Sequence, residues 1–125
     1  MQRAFLHGTV PDPAPDGFLR GSADMPTGSW RGKILHAAMH SGVNIFERHD
    51  HQQKFYPFQT FIAKGLRDTT TSVLRLNYNI SGNPWWLRRI VDELVQVAPG
   101  TYLGKVHIRI VPGVSFALGY FRLEK

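Results

Sequence analysis

The 125-residue chain contains no cysteine. That one absence excludes disulfides, thiolate nucleophiles and Cys-ligated zinc. Long apolar runs are also missing: no segment approaches the ~18 residues of a membrane span, and the opening MQRAFLHGTVPDPAPDG has no continuous apolar core of a signal peptide. There is neither a phosphate-binding glycine loop nor a Gly-x-Ser-x-Gly elbow, so kinase and hydrolase readings lack support and no cofactor is implied. Acid is scarce, with nine Asp and Glu against fifteen Lys and Arg, a formal charge of +6. The basic residues are nevertheless strewn singly, the one adjacent pair being Arg88-Arg89. A nucleic-acid module would more often show a basic stripe interleaved with stacking aromatics. The expectation is a cytoplasmic protein that binds neither nucleic acid nor membrane.

What the chain has is punctuation. Pro and Gly recur at short intervals, and the pieces between them alternate with period two. Residues 1–16, with Pro11, Pro13 and Pro15, read as an extended N-terminal leader. Eight candidate strands follow within one domain over 17–125: 17–23, 30–37, 43–48, 55–64, 71–80, 89–97, 101–111 and 114–123. Only 84–90 offers a helical turn, with Asn83 as cap and Pro84 at the first helical position. The fold class is therefore all-β: an antiparallel barrel of about eight strands, with a sandwich as the alternative.

Within this pattern stands GSWRG, residues 28–32. Gly28-Ser29-Trp30 resembles the Gly-x-Trp signature of lipocalins and other calycins. The resemblance implies that Trp30 plugs the closed end of the barrel and that a basic residue of the last strand, Arg122 or else Lys125, packs over the indole. The segments VLRLNYNISGNP and RIVDELVQVAPGTYLGK are similar to those of uncharacterised bacterial proteins, a resemblance over residues 28–123 that implies no activity.

Alternation assigns the faces. The strand at 30–37 turns Trp30, Gly32, Ile34 and His36 inward; that at 71–80 turns Tyr78 inward; that at 101–111 turns Tyr102 inward and leaves His107 solvated. In RIVDELVQV whichever face is inner carries a carboxylate, Asp92 or Glu93, and the more apolar set brings Glu93. A lone carboxylate in an apolar interior must be paired, protonated or functional; His36, Arg75 and Tyr78 are its candidate partners, with Arg88 or Arg89 those of Asp92. Tyr56, Phe58, Tyr102, Trp85, Trp86, Phe116 and Tyr120 are the aromatic residues expected to bind a ligand. His36, His40, His49 and His51 are spaced poorly for one metal ion, and no metal is expected.

Three functions fit these residues. The first is a barrel that binds a small hydrophobic or aromatic molecule. The second is a cofactor-free isomerase, cyclase, lyase or hydratase, with Glu93 or Asp92 and His36 as acid and base and Tyr78 at a developing oxyanion. The third is an interaction domain with a filled core. The tryptophan pair leaves a homodimer open.

Overall fold

The computed structural model describes residues 1–125. Eight antiparallel strands follow one another around a closed barrel in sequence order: β1 (Gly17–Ala23), β2 (Trp30–His36), β3 (Ser41–Arg48), β4 (His51–Lys64), β5 (Ser72–Asn77), β6 (Ile90–Ala98), β7 (Thr101–Val111) and β8 (Val114–Glu124). Closure is made by β1 on β8, from Arg20 opposite Glu124 to Ala23 opposite Phe121. It leaves no strand edge to pair with another chain. A 3-10 turn at Leu87–Arg89 lies in the expected helical stretch.

Turn chemistry sets the register. Gly100 (φ 68°) and Gly113 (φ 82°) take the left-handed positions of the β6–β7 and β7–β8 hairpins. The β3–β4 turn does the same with His49 and Asp50, at φ 51° and 63°. Both central residues at positive φ is the geometry of a type I′ hairpin. His49 is thus a turn residue, and β4 begins at His51, four residues before the expected start.

The leader is not extended throughout. Gln2–His7 form a short helix, α1, on the outer wall of β6 and β7, and Phe5 is fully buried against Val73, Val95 and Leu103. Thr9 continues it by bridging to Gln96 through paired backbone hydrogen bonds of 3.0 and 2.7 Å. A helix of six residues has no stability of its own. Burial of Phe5 holds it in place.

Antiparallel order places the β1–β2, β3–β4, β5–β6 and β7–β8 connections at one end and the others at the opposite end. The opposite end is packed solid by Leu19, Leu35, Leu74, Leu94, Tyr102 and Leu123. Gly104 belongs to this packing, since an added Cβ would stand 2.1 Å from the Phe121 ring. Gly104→Ala should therefore cost about 1–3 kcal/mol by overpacking, read from a denaturant midpoint; an unchanged midpoint would mean that Phe121 moves freely.

Candidate functional site in the barrel lumen

The first end is open, and the lumen beneath it holds a cavity of about 320 Å³ lined mostly by apolar groups. That is the low end of the range for small-molecule sites. Phe46, Tyr56 and Trp86 surround the mouth, with Trp30, Val106 and Phe121 deeper. Trp86 meets Tyr56 edge-on at 5.8 Å, while Trp85, its neighbour in sequence, points outward and is 77% exposed.

On the cavity floor sits an ion pair that alternation did not reveal. Lys33 Nζ lies 3.1 Å from Asp92 Oδ2, both side chains almost wholly buried. Lys33 faces inward because β2 carries a bulge: Trp30 pairs with Phe46, but Gly32 pairs with Ile45. The extra residue advances the alternation by one, so the inward set is Trp30, Lys33 and Leu35. Gly32, at φ 143°, permits the bend; its missing Cβ would stand 2.0 Å from the Leu19 carbonyl oxygen. The expected inward positions of Ile34 and His36 are thereby corrected.

Around the pair the hydrogen bonds close almost completely. Lys33 Nζ also donates to Asn44 Oδ1 and Tyr78 Oη, each at 2.7 Å. Asn44 Nδ2 donates to Tyr78 Oη at 2.8 Å and the Tyr56 carbonyl at 3.1 Å, and its Oδ1 also accepts from Trp30 Nε1 at 3.0 Å. Tyr78 Oη donates to Asp92 Oδ2 at 3.1 Å. The ammonium thus uses all three N–H groups and the amide all its capacity. Trp30, Phe58, Tyr78 and Phe121 place ring centroids 5.1–5.6 Å from the ammonium, within cation–π range. One atom is left over: Asp92 Oδ1 is buried without a partner.

Burial lowers the Lys33 pKa from its ordinary value, and the Asp92 charge opposes that shift. For Tyr78, burial and then the Asp92 charge push the phenol well above its usual 10.0, so it stays a donor.

Glu93 is not in the lumen. It faces outward on β6, paired across to Arg75 and Lys105, and is fully buried beneath the β4–β5 loop. Its Oε2 accepts the Leu66 N–H at 2.7 Å. The histidine beside it is His107, at 3.7 Å, and not His36, which is exposed at the end of β2. His107 does face outward as alternation requires, but it is fully buried and not solvated. Burial, followed by the charge of Lys105, lowers its pKa from 6.5 to about 4, against the opposing pull of Asp68 and Asp92. Burial raises the Glu93 carboxyl, against the Leu66 N–H and Arg75.

Asp68, Glu93 and His107 bring their ligating atoms within 4.8 Å of one another. The charge balance disfavours a metal ion there. Lys105 Nζ already lies 2.8 Å from Asp68 Oδ2, and the Arg75 guanidinium 3.8 Å from Glu93. A divalent ion would have to expel Lys105, whose ammonium also lies over the rings of Phe5 and Tyr120.

Other expected site residues fall in different places. Phe58 and Tyr102 are buried in the lumen packing. Phe116 is 53% exposed, near the β7–β8 hairpin, and does not line the cavity. Tyr120 lies on the outer wall, edge-on to Phe5 at 6.4 Å. Gly28, at φ 59°, turns the chain before β2. Arg122 does not cover Trp30: it is exposed and pairs with Glu124 at 3.4 Å. The indole meets Phe121 edge-on at 5.8 Å, has the Lys33 ammonium over it, and packs against Gly21 instead of Gly32. It lines the open cavity and does not plug the closed end.

Comparison with protein-family models, with curated proteins and with solved structures finds no match for this chain.

Proposed function

We propose that the barrel binds a small, largely apolar molecule that brings one hydrogen-bond donor to Asp92 Oδ1. The observation that carries this is the single unpartnered polar atom of the lumen, a carboxylate oxygen of Asp92, whose residue lines the cavity. A buried acceptor left unmet costs about 1–3 kcal/mol, which a ligand hydroxyl or N–H recovers. The aromatic mouth favours a flat ring system. Kinship with the calycins belongs to the same proposal, supported by the eight-stranded order, as does a cytoplasmic location.

A matched pair of probes tests it. 2-Naphthol carries the donor, and 2-methoxynaphthalene has the same rings without it. Fluorescence titration should find the naphthol at least tenfold tighter, as expected for a hydrogen bond to a charged group. Asp92→Asn should abolish the preference. Equal affinities for the native protein would refute the reading.

The same oxygen favours a second reading, an enzyme of the isomerase, cyclase, lyase or hydratase type. Asp92 would remove a proton, while the Lys33 ammonium, its N–H groups engaged by Asp92, Asn44 and Tyr78, would steady the forming oxyanion by its charge alone and Tyr78 would hold the carboxylate in place. Both sit at the carboxylate. Deuterium exchange at the α-carbons of 2-tetralone is the corresponding assay. Catalysed exchange falling about 10²-fold in Asp92→Asn would establish it; exchange at the solvent rate would leave binding alone.

A further inference from the structure

The adjacent pair Arg88-Arg89 and Arg109, distant from it in the sequence, meet outside the open end. Arg88 and Arg89, from the β5–β6 connection, and Arg109, near the C-terminal end of β7, line one groove of about 360 Å³ with Asn79, Trp85 and Val111. Neutral groups hold two of them in place: Arg88 Nε donates to Asn79 Oδ1 at 3.0 Å, and Arg89 Nη1 to the Ile110 carbonyl at 2.6 Å. None of the three takes part in any ion pair of the chain. Their charge is uncompensated.

Beside the arginines the surface is apolar. Trp85 is 77% exposed, and the β7–β8 hairpin carries Ile110, Val111, Val114, Phe116 and Leu118, each between 41 and 53% exposed. Exposed apolar residues gathered on one hairpin beside an exposed indole mark a contact surface. Its chemistry separates the partners. A second copy, related by a two-fold axis, would set guanidinium groups against their own counterparts. A nucleic-acid strand stacks on successive aromatic platforms and would strand the aliphatic hairpin in water. Cationic side chains flanking an indole and a row of aliphatic residues match the headgroup layer of an anionic bilayer.

We infer that the open end docks on an anionic membrane surface. Arg88, Arg89 and Arg109 take lipid phosphates, and Trp85 with Val111 and Val114 enters the headgroup layer. Docking stands on these residues alone; that it brings an apolar ligand to the lumen mouth, where adjacent Trp86 lies, rests on the binding function proposed above. No membrane contact is expected from the sequence, which has no apolar run of spanning length; the hairpin and the β5–β6 connection bring Arg109 to the Arg88-Arg89 pair.

Co-sedimentation with vesicles of phosphatidylcholine alone, and with one quarter phosphatidylglycerol, tests the inference. The native protein should bind the anionic vesicles only, and binding should weaken steeply with salt. Each arginine changed to glutamine should reduce affinity about fivefold, and the triple variant on the order of a hundredfold. Trp85→Ala should also weaken binding. A control, Arg3→Gln with Arg20→Gln and Arg122→Gln, removes three charges elsewhere and should retain most of it. Equal loss in the control would reduce the effect to net charge and overturn the assignment. Saturation by inorganic pyrophosphate with no vesicle binding would make the groove a free-anion site. Tight binding of single-stranded RNA without vesicle binding, or a concentration-dependent dimer that shields Trp85 from acrylamide, would each overturn it in favour of that partner. The naphthol titration is independent of all these outcomes, so failure of docking and failure of lumen binding are told apart.

Discussion

Lys33→Met should lower the stability of the barrel by about 3–5 kcal/mol, the usual consequence of removing one partner of a buried ion pair. The Asp92 carboxylate would then keep only the Tyr78 hydroxyl, with its second oxygen already unmet. Asn44 would lose one of its donors, and four aromatic rings their shared cation. Replacing both charges, as Lys33→Met with Asp92→Leu, should return stability to within about 2 kcal/mol of native, since apolar residues that fill the space carry no desolvation cost. Urea midpoints of the two single variants and the double variant measure this coupling. A loss under about 1 kcal/mol in Lys33→Met would show that water reaches the pair, and the dry lumen on which the binding proposal depends would go with it.

The outer wall should show itself in the dependence of stability on pH. His107 has its folded pKa lowered to about 4 from an ordinary 6.5. Between these values the unfolded chain holds the proton more tightly. Stability present above pH 6.5 is therefore lost as pH falls toward 4, a difference of about 3 kcal/mol. Glu93 acts in the opposite sense. Its folded pKa is raised from 4.5, so its contribution is complete below that value and is lost as pH rises through the folded pKa. The two partly cancel in the native protein. Glu93→Gln removes the opposing term and should lose about 3 kcal/mol between pH 6.5 and 4, whereas His107→Leu should gain stability over the same interval. Asp68 is held below its usual range by Lys105 and Gln2, despite the larger, opposing effect of burial, so it titrates below this window. A flat profile in Glu93→Gln would mean that His107 is charged in the folded state.

The barrel itself was legible because Pro and Gly divide the chain into pieces of strand length, and the pairs Pro99-Gly100 and Pro112-Gly113 stand where hairpins must reverse. The helix at Gln2–His7 was not. Nothing local stabilises six residues behind Pro11, Pro13 and Pro15, and the helix forms because the outer wall receives Phe5. For the site, alternation placed Tyr78 and Tyr102 inward and His107 outward, as found. It failed at Lys33, where a bulge shifts the phase, and between Asp92 and Glu93, whose faces are nearly equal in apolar content. A lysine beside glycine, just after a tryptophan at a strand start, was the available sign of the bulge.

Composition and local pattern by themselves determined a chain without disulfides, its eight strands, their antiparallel succession and the requirement that one carboxylate of β6 point inward. Tertiary structure alone decided which one. Alternation runs with period two along a strand, but its phase is set by backbone hydrogen bonds to the neighbouring strand, where one extra residue reverses every side chain beyond it. Burial on the outside was likewise undetermined by the strands themselves. Glu93 and His107 face outward, and they are dry because the β4–β5 loop, distant in sequence, is laid over them, its Asp68 held in turn by Gln2 of α1.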